Sequence, residues 1–170
     1  MLELTGLKKW GVKEVRNKRF KITLMIISTF TLCYHIFKLF YLWSEIPYQI
    51  AIHFSSETPD NWGPKYILLI LPIVSILSWL LIGLLVKNPE RLNYVNLTEA
   101  NKEIQFSRAE RVMLLIQNLS FISFILANEA LLKNAVGMES SLPISIAIVL
   151  LVICFIAPVY LLIWASTLKY

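Results

Sequence analysis

The sequence has few of the residues from which disulfide-bonded, metal-binding or catalytic domains are built. Of its 170 residues, two are cysteine and two are histidine. Cys33 and Cys154 lie inside apolar runs, and neither has a nearby Cys or His at a metal-ligand spacing, so we interpret both as small buried hydrophobic residues. The chain also lacks a glycine-rich phosphate loop, an HExxH helix, a GxSxG turn and a pair of catalytic carboxylates. We therefore expect no enzyme, no catalytic residues, no metal and no cofactor.

Charge is scarce as well. Charged residues make up 16% of the chain and hydrophobic residues 57%, whereas soluble domains have about 25% and roughly 45–50%. The mean hydropathy is +0.65. This composition is typical of an integral membrane protein, with the lipid bilayer as its main partner.

Four segments are long and apolar enough to cross a bilayer, which takes about 20 residues of helix. They are roughly residues 20–43, 66–86, 112–132 and 142–168. Their apolar runs are continuous rather than alternating, which disfavours a β-barrel. The predicted fold is all-α, a bundle of four transmembrane helices over residues 20–170, preceded by a basic segment at residues 1–19. A capping-box pattern at Ser107–Glu110 is expected just before helix three.

The distribution of Lys and Arg predicts the orientation of the bundle. Two regions of the chain are basic. The segment before helix one contains Lys8, Lys9, Lys13, Arg16, Lys18, Arg19 and Lys21, and the loop between helices two and three contains Lys87, Arg91, Lys102, Arg108 and Arg111. The other two loops each hold one Lys. Both chain ends are therefore expected in the cytoplasm of a multi-pass protein of the cell membrane. Juxtamembrane charge indicates lipid rather than nucleic acid as its partner. Residues 2–18 form either an interfacial helix or a basic topology signal.

The first outer loop, residues 44–65, carries the most distinctive pattern. Its ordered positions are Pro47, Ile50, His53, Phe54, Pro59, Asp60, Trp62, Gly63 and Lys65. This string resembles a bacterial domain-of-unknown-function membrane family that occurs in SdpI-type immunity proteins, which protect bacteria from a secreted peptide toxin. The resemblance covers about 40 residues. The turn after Phe54 is one residue shorter and lacks the family's Gly, and the chain has four predicted spans where the immunity proteins have six.

The loop residues allow three interpretations. His53, Asp60, Trp62 and Lys65 are candidates either for tethering the loop, through a His53–Asp60 hydrogen bond, or for recognising a partner such as a peptide toxin or another membrane protein. A cation site at His53, Glu57 and Asp60 is the third and weakest interpretation, because these residues have no established metal spacing.

Ionisable and amide side chains inside the predicted spans are candidates for function because they are costly in hydrocarbon. His35 and Lys38 are three residues apart on helix one, and Asn118 and Glu129 are eleven apart on one side of helix three. Lys38 and Glu129 should lie at similar depth, so we predict an ion pair with His35 nearby. These residues could form a polar pathway, or they could be packing contacts and snorkelling side chains.

Two classes of function follow. The first is a non-enzymatic interaction, sensor or immunity-type protein with an outer recognition loop. The second is a small transporter or channel-like protein that uses the polar face of helix three. A water-accessible cavity at His35, Lys38, Asn118 and Glu129 would favour the second, and a dry bundle with an ordered, exposed loop at His53 would favour the first.

Overall fold

The structure is a computed structural model that describes the backbone of residues 2–55 and 58–168 and the side chains of residues 18–53 and 59–168. Its four helices are α1 (Leu2–Tyr41), α2 (Ile70–Lys87), α3 (Lys102–Ala135) and α4 (Ser141–Ser166). Strands β1 (Gln49–Ser55) and β2 (Thr58–Pro64) lie between α1 and α2. Two short 3₁₀ segments, Lys65–Leu69 and Pro89–Arg91, precede and follow α2.

Each predicted span corresponds to a helix that is long and apolar enough to cross a membrane. The candidate spans are Lys18–Tyr41, Lys65–Lys87, Lys102–Ala135 and Ser141–Ser166. The prediction of an all-α, four-helix, multi-pass membrane protein is therefore confirmed. The backbone of residues 2–19 continues α1 without a break; the side chains of residues 1–17, on which the interfacial-helix prediction depends, lie outside the described residues.

The predicted start of helix three is wrong. Ser107 and Glu110 lie inside α3, which begins at Lys102 after Asn101. The turn before the helix is closed by Asn101, whose Oδ1 accepts the Thr98 backbone N–H at 2.9 Å. At about 1.5 Å per residue the 34-residue helix is roughly 50 Å long, which exceeds the hydrocarbon thickness of about 30 Å. Its charged first turns therefore extend beyond the apolar span that the sequence pattern marks.

Helix α3 is the centre of the bundle. Helices α1, α2 and α4 all pack against it. In its most apolar window 44% of the residues are buried, against 6% in the corresponding window of α4. Lipid tails are as apolar as the side chains of α4, so its outer faces need no protein partner. Seven polar side chains of α3, in contrast, are buried inside the bundle.

The two cysteines are free, and they differ in burial. Cys33 is exposed on α1 and Cys154 is half-buried on α4. The prediction that both are buried is therefore wrong for Cys33. An apolar run in the sequence does not show which residues of a membrane helix face lipid and which face other helices, because both environments are apolar.

The predicted loop at residues 44–65 contains an antiparallel β-hairpin. The register pairs Gln49 with Pro64 and Ile50 with Gly63, and it becomes irregular between Ala51 and Phe54. A Cβ atom at Gly63 would lie 2.4 Å from Ile67 Cδ1, so a larger residue at this position of β2 would require the Ile67 side chain to shift.

The base of the hairpin is packed into the end of the bundle. We call its buried apolar residues the hairpin-base cluster: Leu39, Leu42, Ile46, Ile50, Leu68 and Leu132. They come from α1, the α1–β1 connection, β1, the 3₁₀ segment before α2, and α3. Because the cluster joins so many elements, the hairpin has a fixed position on the bundle.

Candidate functional site

A buried polar network links α1 to α3 beneath the hairpin. Glu129 is 7% exposed, and its Oε1 accepts a hydrogen bond from the Lys38 ammonium. Its second oxygen, Oε2, lies 2.8 Å from Nδ1 of His35. The spacing of three residues places His35 and Lys38 on one face of α1. The structure thus contains the Lys38–Glu129 pair that the sequence predicts, with His35 beside it.

Asn128 determines the tautomer of His35. Its Nδ2 amide group donates to the Leu68 carbonyl at 2.7 Å and lies 2.8 Å from His35 Nε2. An amide NH₂ group can only donate, so Nε2 of His35 must accept and the proton is assigned to Nδ1, which donates to Glu129. This assignment makes His35 neutral. The only charges in the network are then those of Lys38 and Glu129, which oppose each other.

The orientation of the Asn128 amide is fixed by the Leu68 carbonyl. A flipped amide would place Asn128 Oδ1 against that carbonyl oxygen, with repulsion in place of a hydrogen bond. In the orientation described, Oδ1 is buried and has no hydrogen-bond partner among the described residues. A buried polar atom without a partner is costly, so the two bonds of Nδ2 must outweigh it.

Asn118, the fourth member of the predicted intramembrane cluster, lies elsewhere. Its Oδ1 accepts from the Ser28 hydroxyl at 2.8 Å and from Trp79 Nε1 at 3.5 Å. Its Nδ2 donates to the Leu114 carbonyl of its own helix at 2.9 Å. The eleven residues between Asn118 and Glu129 correspond to about 16 Å along the helix axis. The two residues share a side of α3 but differ in depth, so they belong to separate polar contacts.

Other polar side chains of α3 hold the neighbouring helices directly. Gln117 Nε2 donates to the Trp79 carbonyl of α2 at 2.7 Å, and the Ser123 hydroxyl donates to the Ala147 carbonyl of α4 at 2.8 Å. Such bonds between membrane helices contribute about 0.6 kcal/mol each on average. These bonds make Gln117 and Ser123 packing contacts between helices.

On the hairpin, His53 and Asp60 are joined across the two strands. His53 Nδ1 lies 2.6 Å from Asp60 Oδ1, and the two side chains are 67% and 40% exposed. A pair this exposed contributes little to stability, typically 0–1 kcal/mol. The pair links the two strands of the hairpin to each other. Trp62 is 56% exposed on β2. Glu57, the third residue of the cation interpretation, lies outside the described residues.

Lys65 fastens the end of the hairpin to the end of α1. Its ammonium group donates to the Trp43 carbonyl at 3.0 Å and to the Ile46 carbonyl at 3.5 Å. It also lies 4.8 Å from the centroid of the Trp43 ring, within range of a cation–π interaction. Carbonyls just beyond a helix C-terminus are suitable acceptors for a cation. The structure therefore places Lys65 in a tethering role.

Sequence reasoning missed two residues of this region, Asn128 and Trp43. Asn128 precedes Glu129 in a predicted membrane span, so its polarity was the available signal. Trp43 was visible only as an aromatic residue near a membrane boundary, and its contact with Lys65 spans 22 residues of sequence. Neither contact could be read from local spacing.

The fold and these contacts define a multi-pass α-helical membrane protein with an ordered hairpin fixed to one end of its bundle. A family model described as "Domain of unknown function (DUF1648)" matches residues 29–76. The matched part contains the last third of α1, the hairpin and the start of α2. The expected similarity to a domain-of-unknown-function family is thus confirmed for this part of the chain. Searches of the curated proteins and of the solved structures each found no match.

The region that matches the family model contains only some of the residues of the buried network. It includes His35, Lys38 and Leu68, whereas Asn128 and Glu129 lie beyond it on α3. The hairpin pair His53–Asp60 and the tether Lys65 fall entirely within it. The part of the chain that is similar to the family therefore contains a complete hairpin but only one half of the buried ion pair.

Proposed function

We propose that this chain is a non-enzymatic membrane protein of the immunity or sensor type, whose hairpin recognises a secreted peptide. The observation that carries the proposal is an exposed Trp62 beside the exposed His53–Asp60 pair, on a hairpin whose base is buried in the bundle. Exposed tryptophan supplies large contact area with a polar N–H, and tryptophan is enriched among residues that dominate binding energy. A rigid base lowers the entropy lost on binding.

The hairpin also offers backbone groups to a peptide. In the described part of the chain the sheet has two strands, β1 and β2, so each strand pairs on one side only. An extended peptide can bind such an edge as an added strand, with main-chain hydrogen bonds for affinity and side-chain contacts for specificity. In this proposal His53 and Asp60 supply polar contacts and Trp62 the apolar contact.

The transport alternative has less support. It required a polar face that joins Asn118 to Glu129, but these residues lie about 16 Å apart along α3 and Asn118 is fully occupied by Ser28, Trp79 and Leu114. His35 is 1% exposed and Asn118 is 0% exposed. An exposed, ordered hairpin above a closely packed polar network agrees better with recognition.

The proposal requires the hairpin to face away from the cytoplasm. In a background with Cys33→Ala and Cys154→Ala, single cysteines at Asn61→Cys and Glu99→Cys report the two ends of the bundle, since both native side chains are exposed. A membrane-impermeant maleimide should label position 61 in intact cells and position 99 only after permeabilisation. The reverse pattern would contradict the proposed orientation and with it the recognition of a secreted peptide.

The role itself is tested by expressing the protein in a toxin-sensitive bacterial host and challenging the cells with a panel of secreted peptide toxins. The wild-type chain should raise the inhibitory concentration of at least one toxin, and Trp62→Ala and His53→Ala should lower it again at equal membrane abundance. Glu103→Ala, an exposed charge at the other end of the bundle, is the control and should keep full protection. Equal tolerance with and without the protein, or unchanged protection by the hairpin variants, would refute the proposal.

A further inference from the structure

A groove opens between α1 and α2 at the end of the bundle opposite the hairpin. Its volume is about 320 Å³, within the range of small-molecule sites. Its walls include Met25, Trp79 and Leu84, and Lys21 and Lys87 also line it. Both helices pack against α3, and the groove lies between them.

The floor of the groove is fixed by buried contacts between the three helices. Leu24, Val86 and Leu114, one from each helix, form a buried apolar cluster at this level. On the α2 wall, Gly83 has no side chain to fill the space, and a Cβ there would lie 2.8 Å from Gln117 Nε2. The packing of the three helices therefore fixes the shape of the groove.

The two lysines give the groove a positive end. Lys21 and Lys87 are both exposed, and neither forms a salt bridge with a residue that the structure describes. The nearest acidic residue along α2 and its extension is Glu90, which does not line the groove. An apolar groove that ends at two exposed ammonium groups is complementary to an amphiphile with an anionic head.

The length of the groove agrees with this chemistry. Lys87 and Trp79 are eight residues apart on α2, about 12 Å along the axis, and one leaflet of hydrocarbon is about 15 Å deep. A chain that lies along Trp79 and Leu84 would thus end with its headgroup at the lysines. Basic pockets between membrane helices are a known way to bind anionic headgroups.

We propose that this groove binds an anionic glycerophospholipid of the bilayer, with its phosphate between Lys21 and Lys87 and an acyl chain against Met25, Trp79 and Leu84. The site is separate from the hairpin, so it stands independently of the proposed function. Each lysine should strengthen the preference for anionic over zwitterionic lipid about fivefold.

Trp79 lines the groove, so quenching of its fluorescence measures whether a lipid chain lies there. The full chain is reconstituted in vesicles with either brominated phosphatidylglycerol or brominated phosphatidylcholine at equal mole fraction, and the Trp79 signal is the difference in fluorescence between wild type and Trp79→Phe. Bromine on the acyl chain quenches only nearby tryptophan. We expect stronger quenching of the Trp79 signal by the anionic lipid, and we expect the double variant Lys21→Gln/Lys87→Gln to lose that excess.

The control variant Lys18→Gln/Arg91→Gln removes the same charge from exposed residues at the same end of the bundle, outside the groove. It should keep the excess quenching. Equal quenching by both lipids in the wild type would overturn the proposal. An equal loss in both double variants would also overturn it, because the lipid would then be attracted by general surface charge. Circular dichroism of each variant checks that its helices are intact.

Discussion

Replacement of Glu129 by Gln tests the buried network most directly. Gln has the shape of Glu but no charge, and its amide offers one acceptor where the carboxylate offers two. In the native network one oxygen faces the Lys38 ammonium and the other faces His35 Nδ1. In the variant, one of these donors must face the NH₂ group of Gln. Lys38, whose side chain is 18% exposed, also loses its counter-charge.

The free energy lost in Glu129→Gln depends on how deeply the ion pair is buried. Removal of one partner from a fully buried ion pair destabilises a protein by about 3–5 kcal/mol, and one unsatisfied buried donor costs about 1–3 kcal/mol. Lys38 keeps some access to the headgroup region and can move toward it, which reduces the first figure. We therefore expect Glu129→Gln to lower the free energy of unfolding by about 2–4 kcal/mol.

The pairing is measured by a double-mutant cycle with Lys38→Met, using reversible unfolding in mixed micelles of increasing denaturing-detergent fraction. The double variant should be less destabilised than the sum of the single variants by about 1–3 kcal/mol, because neither charge is left alone. The matched control combines Glu129→Gln with Lys21→Met, near the other end of the candidate span Lys18–Tyr41, and should be additive. Additivity within about 0.5 kcal/mol for the Lys38 cycle as well would refute the pairing.

Two further predictions concern the contacts that hold α2 and the hairpin. Gly83→Ala should lower the free energy of unfolding by about 1–3 kcal/mol in the same assay. The new Cβ would lie 2.8 Å from Gln117 Nε2 and would disturb the bond of Gln117 to the Trp79 carbonyl. An unchanged free energy of unfolding would contradict this close approach. Lys65→Met should speed amide hydrogen exchange in β1 and β2 by about five- to tenfold and leave exchange in α4 unchanged. The reason is that it removes roughly 1–1.5 kcal/mol of charge-assisted hydrogen bonding at the end of the hairpin. Equal exchange in both proteins would show that the hairpin-base cluster alone holds the hairpin.

The buried network shows how far sequence reasoning could go. The Lys38–Glu129 pair was predictable because charges are rare in these spans and the two residues lie at similar distances from their predicted membrane boundaries. The role of Asn128 was not, since it depends on the Leu68 carbonyl, which lies 60 residues away in the chain. The grouping of Asn118 with Glu129 failed because helical periodicity fixes the side of a helix but says nothing about which partners meet it at each depth.

The hairpin shows the complementary case. Its family-like pattern is recognisable as a string, but residues 44–65 do not have a strand-like composition. The seven-residue strands are short, and β2 contains Pro59, Gly63 and Pro64, residues that are depleted in strands. The strands exist because Ile50 and Ile46 are buried in the hairpin-base cluster and Lys65 is bound to the end of α1. Those stabilising contacts come from outside the hairpin.

The four spans follow from the sequence alone, because a bilayer imposes one length and one polarity on any helix that crosses it, and these are local properties of the chain. Three features required the packed bundle to be seen: which faces of the helices meet, which polar side chains lie at the same depth, and the hairpin that connects α1 to α2. The reason is that these features depend on pairs such as His35 and Glu129, 94 residues apart, whose approach is set by helix packing rather than by any local pattern.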